Sequence, residues 1–108
     1  MADIQDRIRE AIEKNKIVIF MKGNRHFPQC GFSAGTVEVF EALDVPFATV
    51  DVLQDPEVRE GIKQYTKWPT IPQIFINGKF IGGCDIVREM YQNGELQGVV
   101  QDATKQKE

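Results

Sequence analysis

The chain predicts an α/β fold: a four-stranded mixed sheet with helices on both faces. Three observations point there. Lys16-Ile17-Val18-Ile19-Phe20-Met21 is a continuous apolar run of strand length, the pattern of an interior strand buried on both sides. Segments of helical periodicity flank that run and a second short strand, which makes a βαβ unit with a right-handed crossover and parallel strands. Gln73-Ile74-Phe75-Ile76 and Lys79-Phe80-Ile81 bracket Asn77-Gly78, the dipeptide best suited to a type I′ turn, so a hairpin extends the same sheet antiparallel.

The elements follow in order. Ile4, Ile8, Ala11 and Ile12 fall at helical spacing and predict a first helix from about Asp3 to Glu13. After the strand at 16–21, Gly23 to Gln29 reads as a loop marked by Gly, Asn and Pro. Gly31 to Leu43 is a second helix with Ala34, Val37 and Phe40 turned inward, and Phe47 to Val52 is the second strand. Asp55-Pro56-Glu57 is a helix start, with Asp as N-cap, Pro in the first position and Glu in the first turn. Val58, Ile62 and Tyr65 form that helix's apolar stripe. Asp85 is expected to cap a last long helix through Ile86, Val87, Met90 and Tyr91 that breaks at Gly94. A short helix near Leu96 to Val100 follows, and residues 102–108 are expected to be a flexible tail.

At 108 residues the chain is read as one domain, 1–108, with an ordered core over about 3–101. A net charge of −3 gives no support for nucleic-acid binding, which needs a concentrated basic face. No run approaches the roughly 18 apolar residues of a membrane span, so no membrane association is expected. Met1 to Lys16 carries Asp3, Asp6, Glu10 and Glu13 and lacks an apolar secretory core, which leads to the expectation of a cytoplasmic protein. Two cysteines in such a chain suggest redox or metal chemistry rather than a disulfide framework.

The most informative stretch is Cys30-Gly31-Phe32-Ser33, which carries one thiol where a C-x-x-C motif carries two. A cysteine that opens a helix lies at the positive end of the macrodipole, beside unpaired N–H groups. Both favour the thiolate, which is the nucleophile and the metal ligand. Lys22 closes the first strand and points its ammonium toward the same neighbourhood. His26 is the only histidine and reads as a solvated loop residue. Phe32 is a surface aromatic beside the thiol, and Trp68 is a core or cleft residue.

Lys22, Cys30-Gly31-Phe32-Ser33, Trp68-Pro69-Thr70-Ile71-Pro72 and Gly82-Gly83-Cys84-Asp85, in this order and spacing, resemble a monothiol glutaredoxin of the CGFS type. The resemblance runs from about Ile4 to Val100 and implies a thioredoxin-like fold, with Pro72 cis. It also implies a glutathione site at Lys22, Arg59, Thr70, Ile71, Pro72, Gly83, Cys84 and Asp85. There, Lys22 and Arg59 meet a carboxylate and the backbone of Ile71 pairs with the peptide. The start of the last helix takes the γ-glutamyl carboxylate and Asp85 the ammonium. Cys30 is the implied ligand of a 2Fe–2S cluster shared with a second subunit, and two glutathione thiolates complete the four ligands. The state implied is a homodimer with the cluster and a monomer without it. A BolA-like protein and apo iron–sulfur proteins are the implied partners. The competing reading is a glutathione-dependent thiol–disulfide oxidoreductase of weak activity, in which Cys30 attacks and Cys84 or a second glutathione resolves. Cys84 stands equally as a partly buried spectator or as a disulfide partner if its Cα comes within about 7 Å of that of Cys30, with replacement of glutathione as a cluster ligand the minor alternative. The seven residues between Lys22 and Cys30, against two in dithiol relatives, match the monothiol class.

Overall fold

The apolar run forms β1 (Ile17–Met21), and all five residues are buried. Its side chains alternate between two cores, as a strand's period of two dictates. Ile17, Ile19 and Met21 belong to one apolar cluster and Val18 and Phe20 to the other. The computed structural model describes residues 3–104.

Around β1 the chain is organised as α1 (Ile4–Lys14), α2 (Gly31–Leu43), β2 (Ala48–Asp51), α3 (Pro56–Thr66), β3 (Gln73–Ile76), β4 (Lys79–Gly82), α4 (Cys84–Gln92) and α5 (Glu95–Thr104). The sheet order is β2-β1-β3-β4. β1 pairs parallel with β2 and antiparallel with β3, and β3 pairs antiparallel with β4. This is the expected four-stranded mixed sheet. One face is covered by α1 and α3, through Ile8, Ile12, Val58 and Ile62; the other by α2, α4 and α5, through Val37, Phe40, Val87, Leu96 and Val100.

Local chemistry explains most boundaries. Asp3 caps α1 by accepting from the Asp6 N–H, and Asp55 caps α3 by accepting from Glu57 and Val58. Asn77 and Gly78 both have positive φ (53° and 83°), as the type I′ hairpin requires. Two expectations are corrected at the C-terminal end. The cap of α4 is Gly83, with no side-chain cap bond, and Asp85 lies inside the first turn. The last helix runs through Thr104 instead of ending near Val100, because Ala103 is buried and Thr104 Oγ1 donates to the Val100 carbonyl. Residues 102–104 of the expected tail are therefore helical, and 105–108 lie outside the described residues.

On the α1/α3 face Phe20, Phe75 and Phe80 form a chain of aromatic contacts, with centroids 5.7 Å and 5.3 Å apart. Phe20 is 1% exposed, so Phe20→Ala opens a cavity that its neighbours fill poorly. The substitution is expected to lower the unfolding free energy by about 3–5 kcal/mol in urea denaturation. A loss below about 1 kcal/mol would contradict this packing.

Candidate active site

The end of β1 and the start of α2 meet around one sulfur. Cys30 is the N-cap of α2 in extended backbone (φ −154°, ψ 153°), and its Sγ accepts from the Ser33 N–H at 3.4 Å. Ser33 is 0% exposed. Its oxygen accepts from the Lys22 N–H at 3.1 Å and stands 3.5 Å from Cys30 Sγ. A hydroxyl has one proton and two lone pairs, so beside the neutral thiol the oxygen accepts from the S–H as well as from the Lys22 amide, and beside the thiolate it donates to the sulfur. Burial pushes the thiol pKa up and is the largest single influence. The Ser33 hydroxyl, the Ser33 and Phe32 N–H groups and the Lys22 ammonium together outweigh it, so the pKa lies below that of an ordinary thiol.

Beside this corner lies a cleft of about 240 Å³, lined by Phe32, Trp68, Thr70, Ile71, Pro72, Gly83, Cys84, Asp85 and Ile86. The Ile71–Pro72 peptide is cis. Because no side chain caps α4, the N–H groups of its first turn have no side-chain acceptor at this end of the cleft. Gly83 packs closely against the opposite wall: a Cβ there would stand 3.4 Å from both the Pro72 carbonyl and Trp68 Nε1.

A family model described as Glutaredoxin matches residues 17–81. The chain belongs to the glutaredoxin family. It is 53% identical over 97 residues to the uncharacterized monothiol glutaredoxin ycf64-like of Synechocystis sp., covering 90% of this chain and 91% of that protein. It is 46% identical over 104 residues to the mitochondrial monothiol glutaredoxin-5 of Saccharomyces cerevisiae, covering 94% of this chain and 69% of that one. Among solved structures, reduced poplar apo GrxS14 superposes with a TM-score of 0.82 at 44% identity, covering 94% of this chain and 93% of that one. A buckwheat glutaredoxin–glutathione complex superposes with a TM-score of 0.84 at 26% identity, covering 94% and 90%.

In this glutaredoxin the structure brings Thr70, Ile71, Pro72, Gly83, Cys84 and Asp85 together in one cleft. Lys22 and Arg59 are not among its walls. Lys22 acts on the thiol through its charge. Arg59 lies on α3, half-buried, with a buried Nε that has no protein partner. Cys84 is 5% exposed, and both cysteines are free thiols. A Cβ on Gly35 would stand 3.6 Å from Cys84 Sγ, so that sulfur packs onto α2.

The seven-residue loop is a small closed hairpin. Gly23 bridges Pro28, and Asn24 and Phe27 exchange backbone hydrogen bonds at 3.3 Å and 3.1 Å. Asn24 Oδ1 also accepts from the His26 and Phe27 N–H groups. Arg25 pins the tip: its guanidinium donates to Glu41 and to the Phe47 carbonyl and stacks 3.8 Å over the Phe47 ring. Asp51 holds the base by accepting from the Gly23 N–H at 2.9 Å. His26 and Phe27 are left exposed. Sequence reasoning treated Ser33 only as a missing cysteine and passed over Arg25, Asp51 and Gln73. The one signal for Gln73 is a polar residue opening an apolar strand.

Because the thiol pKa is lowered, alkylation of Cys30 by iodoacetamide is expected to reach half its maximal rate at a pH below that of free cysteine. Ser33→Ala removes the hydroxyl donor and is expected to move that midpoint upward, measured in a Cys84→Ser background. An unchanged midpoint would show that the hydroxyl does not act on the sulfur.

Proposed function

We propose that this glutaredoxin binds glutathione in the cleft and carries a 2Fe–2S cluster between two subunits, serving iron–sulfur cluster transfer and iron and redox homeostasis. The observation that carries the reading is the placement of one thiolate-biased sulfur beside a cleft that ends at an uncapped helix N-terminus. Such a terminus is a ready seat for a carboxylate. The γ-glutamyl carboxylate is assigned to the N–H groups of Cys84 and Asp85, and the adjacent ammonium to the Asp85 carboxylate. The backbone of Ile71 pairs with the peptide as an added strand. Lys22 and Arg59 offer cations for the glycyl carboxylate.

The donor set decides how a cluster fits. Among the described residues no group of three or more His, Cys, Asp or Glu side chains comes together. A 2Fe–2S cluster takes four ligands besides its bridging sulfides. Cys30 from each of two subunits and the thiolates of two glutathiones supply them. A cargo held half by exchangeable small molecules is suited to release to apo iron–sulfur proteins, or to sharing with a BolA-like partner. In this reading the chain's residues hold the glutathione, bias Cys30 toward the thiolate and leave its sulfur within reach.

The lowered thiol pKa favours a second reading, glutathione-dependent thiol–disulfide exchange. There the Cys30 thiolate attacks the glutathione sulfur of a mixed disulfide, and the S–S bond breaks to release the other thiolate. A second glutathione thiolate then displaces Cys30 and leaves as glutathione disulfide. Glutathione suits the resolving step better than Cys84, whose sulfur is buried against α2.

Anaerobic reconstitution with iron, sulfide and glutathione is expected to give a coloured dimer with about two glutathiones per cluster. Cys30→Ser is expected to abolish it and Cys84→Ser to leave it intact. A colourless monomer from the unaltered chain would overturn cluster carriage, and rapid turnover of glutathione mixed disulfides would favour the second reading.

A further inference from the structure

β3 opens with a polar residue where its successors Ile74, Phe75 and Ile76 are all apolar and buried. That residue, Gln73, is itself 0% exposed. Large polar side chains are seldom fully buried without a partner for each polar atom, and the partners here are specific. Gln73 Nε2 donates to the Trp68 carbonyl at 2.8 Å and to the Thr70 carbonyl at 3.1 Å. Oε1 stands 2.9 Å from Thr66 Oγ1, whose oxygen accepts from the Trp68 N–H at 3.0 Å. The amide has one workable orientation, since exchanging its N and O would set an acceptor against two carbonyls.

The need for this amide follows from the segment it serves. Lys67 ends α3 in the left-handed region (φ 62°), and the chain then runs Trp68-Pro69-Thr70-Ile71-Pro72 into β3. Two prolines in five residues remove two N–H donors, so the segment does not form a regular strand ladder and its carbonyls need donors from elsewhere. Gln73 satisfies two of them from below, and the stretch it holds forms one wall of the cleft.

We propose that Gln73 is a positioning residue for the cleft: a buried amide that fixes the course of Trp68 to Pro72 and so presents the Ile71 backbone to a peptide ligand. The inference rests on the glutathione reading of that cleft. The side-chain hydrogen bonds of Gln73 run to Thr66, Trp68 and Thr70, and it is not among the groups that shift the Cys30 pKa, Ser33, Phe32 and Lys22. Its removal therefore separates ligand affinity from thiol reactivity.

The test is a titration of reduced glutathione followed by NMR, beside the rate of Cys30 alkylation by iodoacetamide. Gln73→Leu, similar in volume without the donors, is expected to weaken glutathione binding at least tenfold while alkylation stays within twofold of the unaltered chain. Thr66→Val, which unties the other end of the amide, is expected to weaken binding about threefold and keeps the test open if Gln73→Leu does not fold. Unchanged affinity in both variants would overturn the proposal, as would an equal loss of affinity and alkylation rate, the mark of a general lesion. If the unaltered chain binds no glutathione, the reading of the cleft itself falls and this inference with it; binding by the unaltered chain with no change in the variants overturns the inference alone.

Discussion

The Ser33 hydroxyl adds a side-chain tie between the end of β1 and the start of α2, which a Gln29 N–H to Lys22 carbonyl bond of 2.8 Å already brings together. It accepts from the Lys22 amide and stands 3.5 Å from the Cys30 sulfur. Between those points the chain makes a seven-residue excursion, and the sulfur's place relative to the sheet depends on how that excursion closes. With Ser33 fully buried, the bond is shielded from water and worth more than an exposed one. The residue in the place of a second cysteine therefore supports the thiolate by hydrogen bonding, where a second thiol would form an internal disulfide with it.

The excursion is closed as tightly as the site needs. Gly23 has φ +87°, and a Cβ there would stand 2.3 Å from the Phe27 carbonyl, so the hairpin has no room for a side chain at its base. Arg25 at the tip and Asp51 at the base secure it to α2 and β2. On the far side of the cleft, Gln73 does the same for the Trp68–Pro72 segment. The loop before Cys30 and the Trp68–Pro72 wall of the cleft are thus each braced by side-chain hydrogen bonds, long-range in sequence for Arg25 and Asp51 and local for Gln73.

What could be read in advance was what local chemistry dictates. The β1 run, the Asp55 cap and the Asn77-Gly78 turn all depend on neighbours within a few residues. So does Cys30 at a helix start; the grouping of Ile71, Pro72, Gly83 and Asp85 comes instead from the resemblance that the four motifs carry together, and the structure places these residues in one cleft. The misses have other causes. Asp85 has the chemistry of an N-cap, but the helix is capped two residues earlier, at Gly83, and Asp85 lies in its first turn. The polar stretch from Gln101 resembles a tail, yet Ala103 is buried in the core with Leu96 and Val100. Arg25 looks like an ordinary polar residue until the fold brings Glu41 and Phe47 to it, a tertiary contact that spacing along the chain does not record. Gln73 bonds locally, to Thr66, Trp68 and Thr70, but hydrophobic periodicity carries no signal for a buried amide that serves an irregular segment.

The central claim is that the cleft beside Cys30 is built to hold a glutathione whose thiol stands in for the absent second cysteine. Its most direct test is amide chemical-shift mapping while reduced glutathione is added to the isotope-labelled apoprotein. The account predicts the largest changes at Ile71, Gly83, Cys84 and Asp85. A silent cleft, with the changes gathered instead along the groove between Glu38 on α2 and Arg88 and Tyr91 on α4, would contradict it.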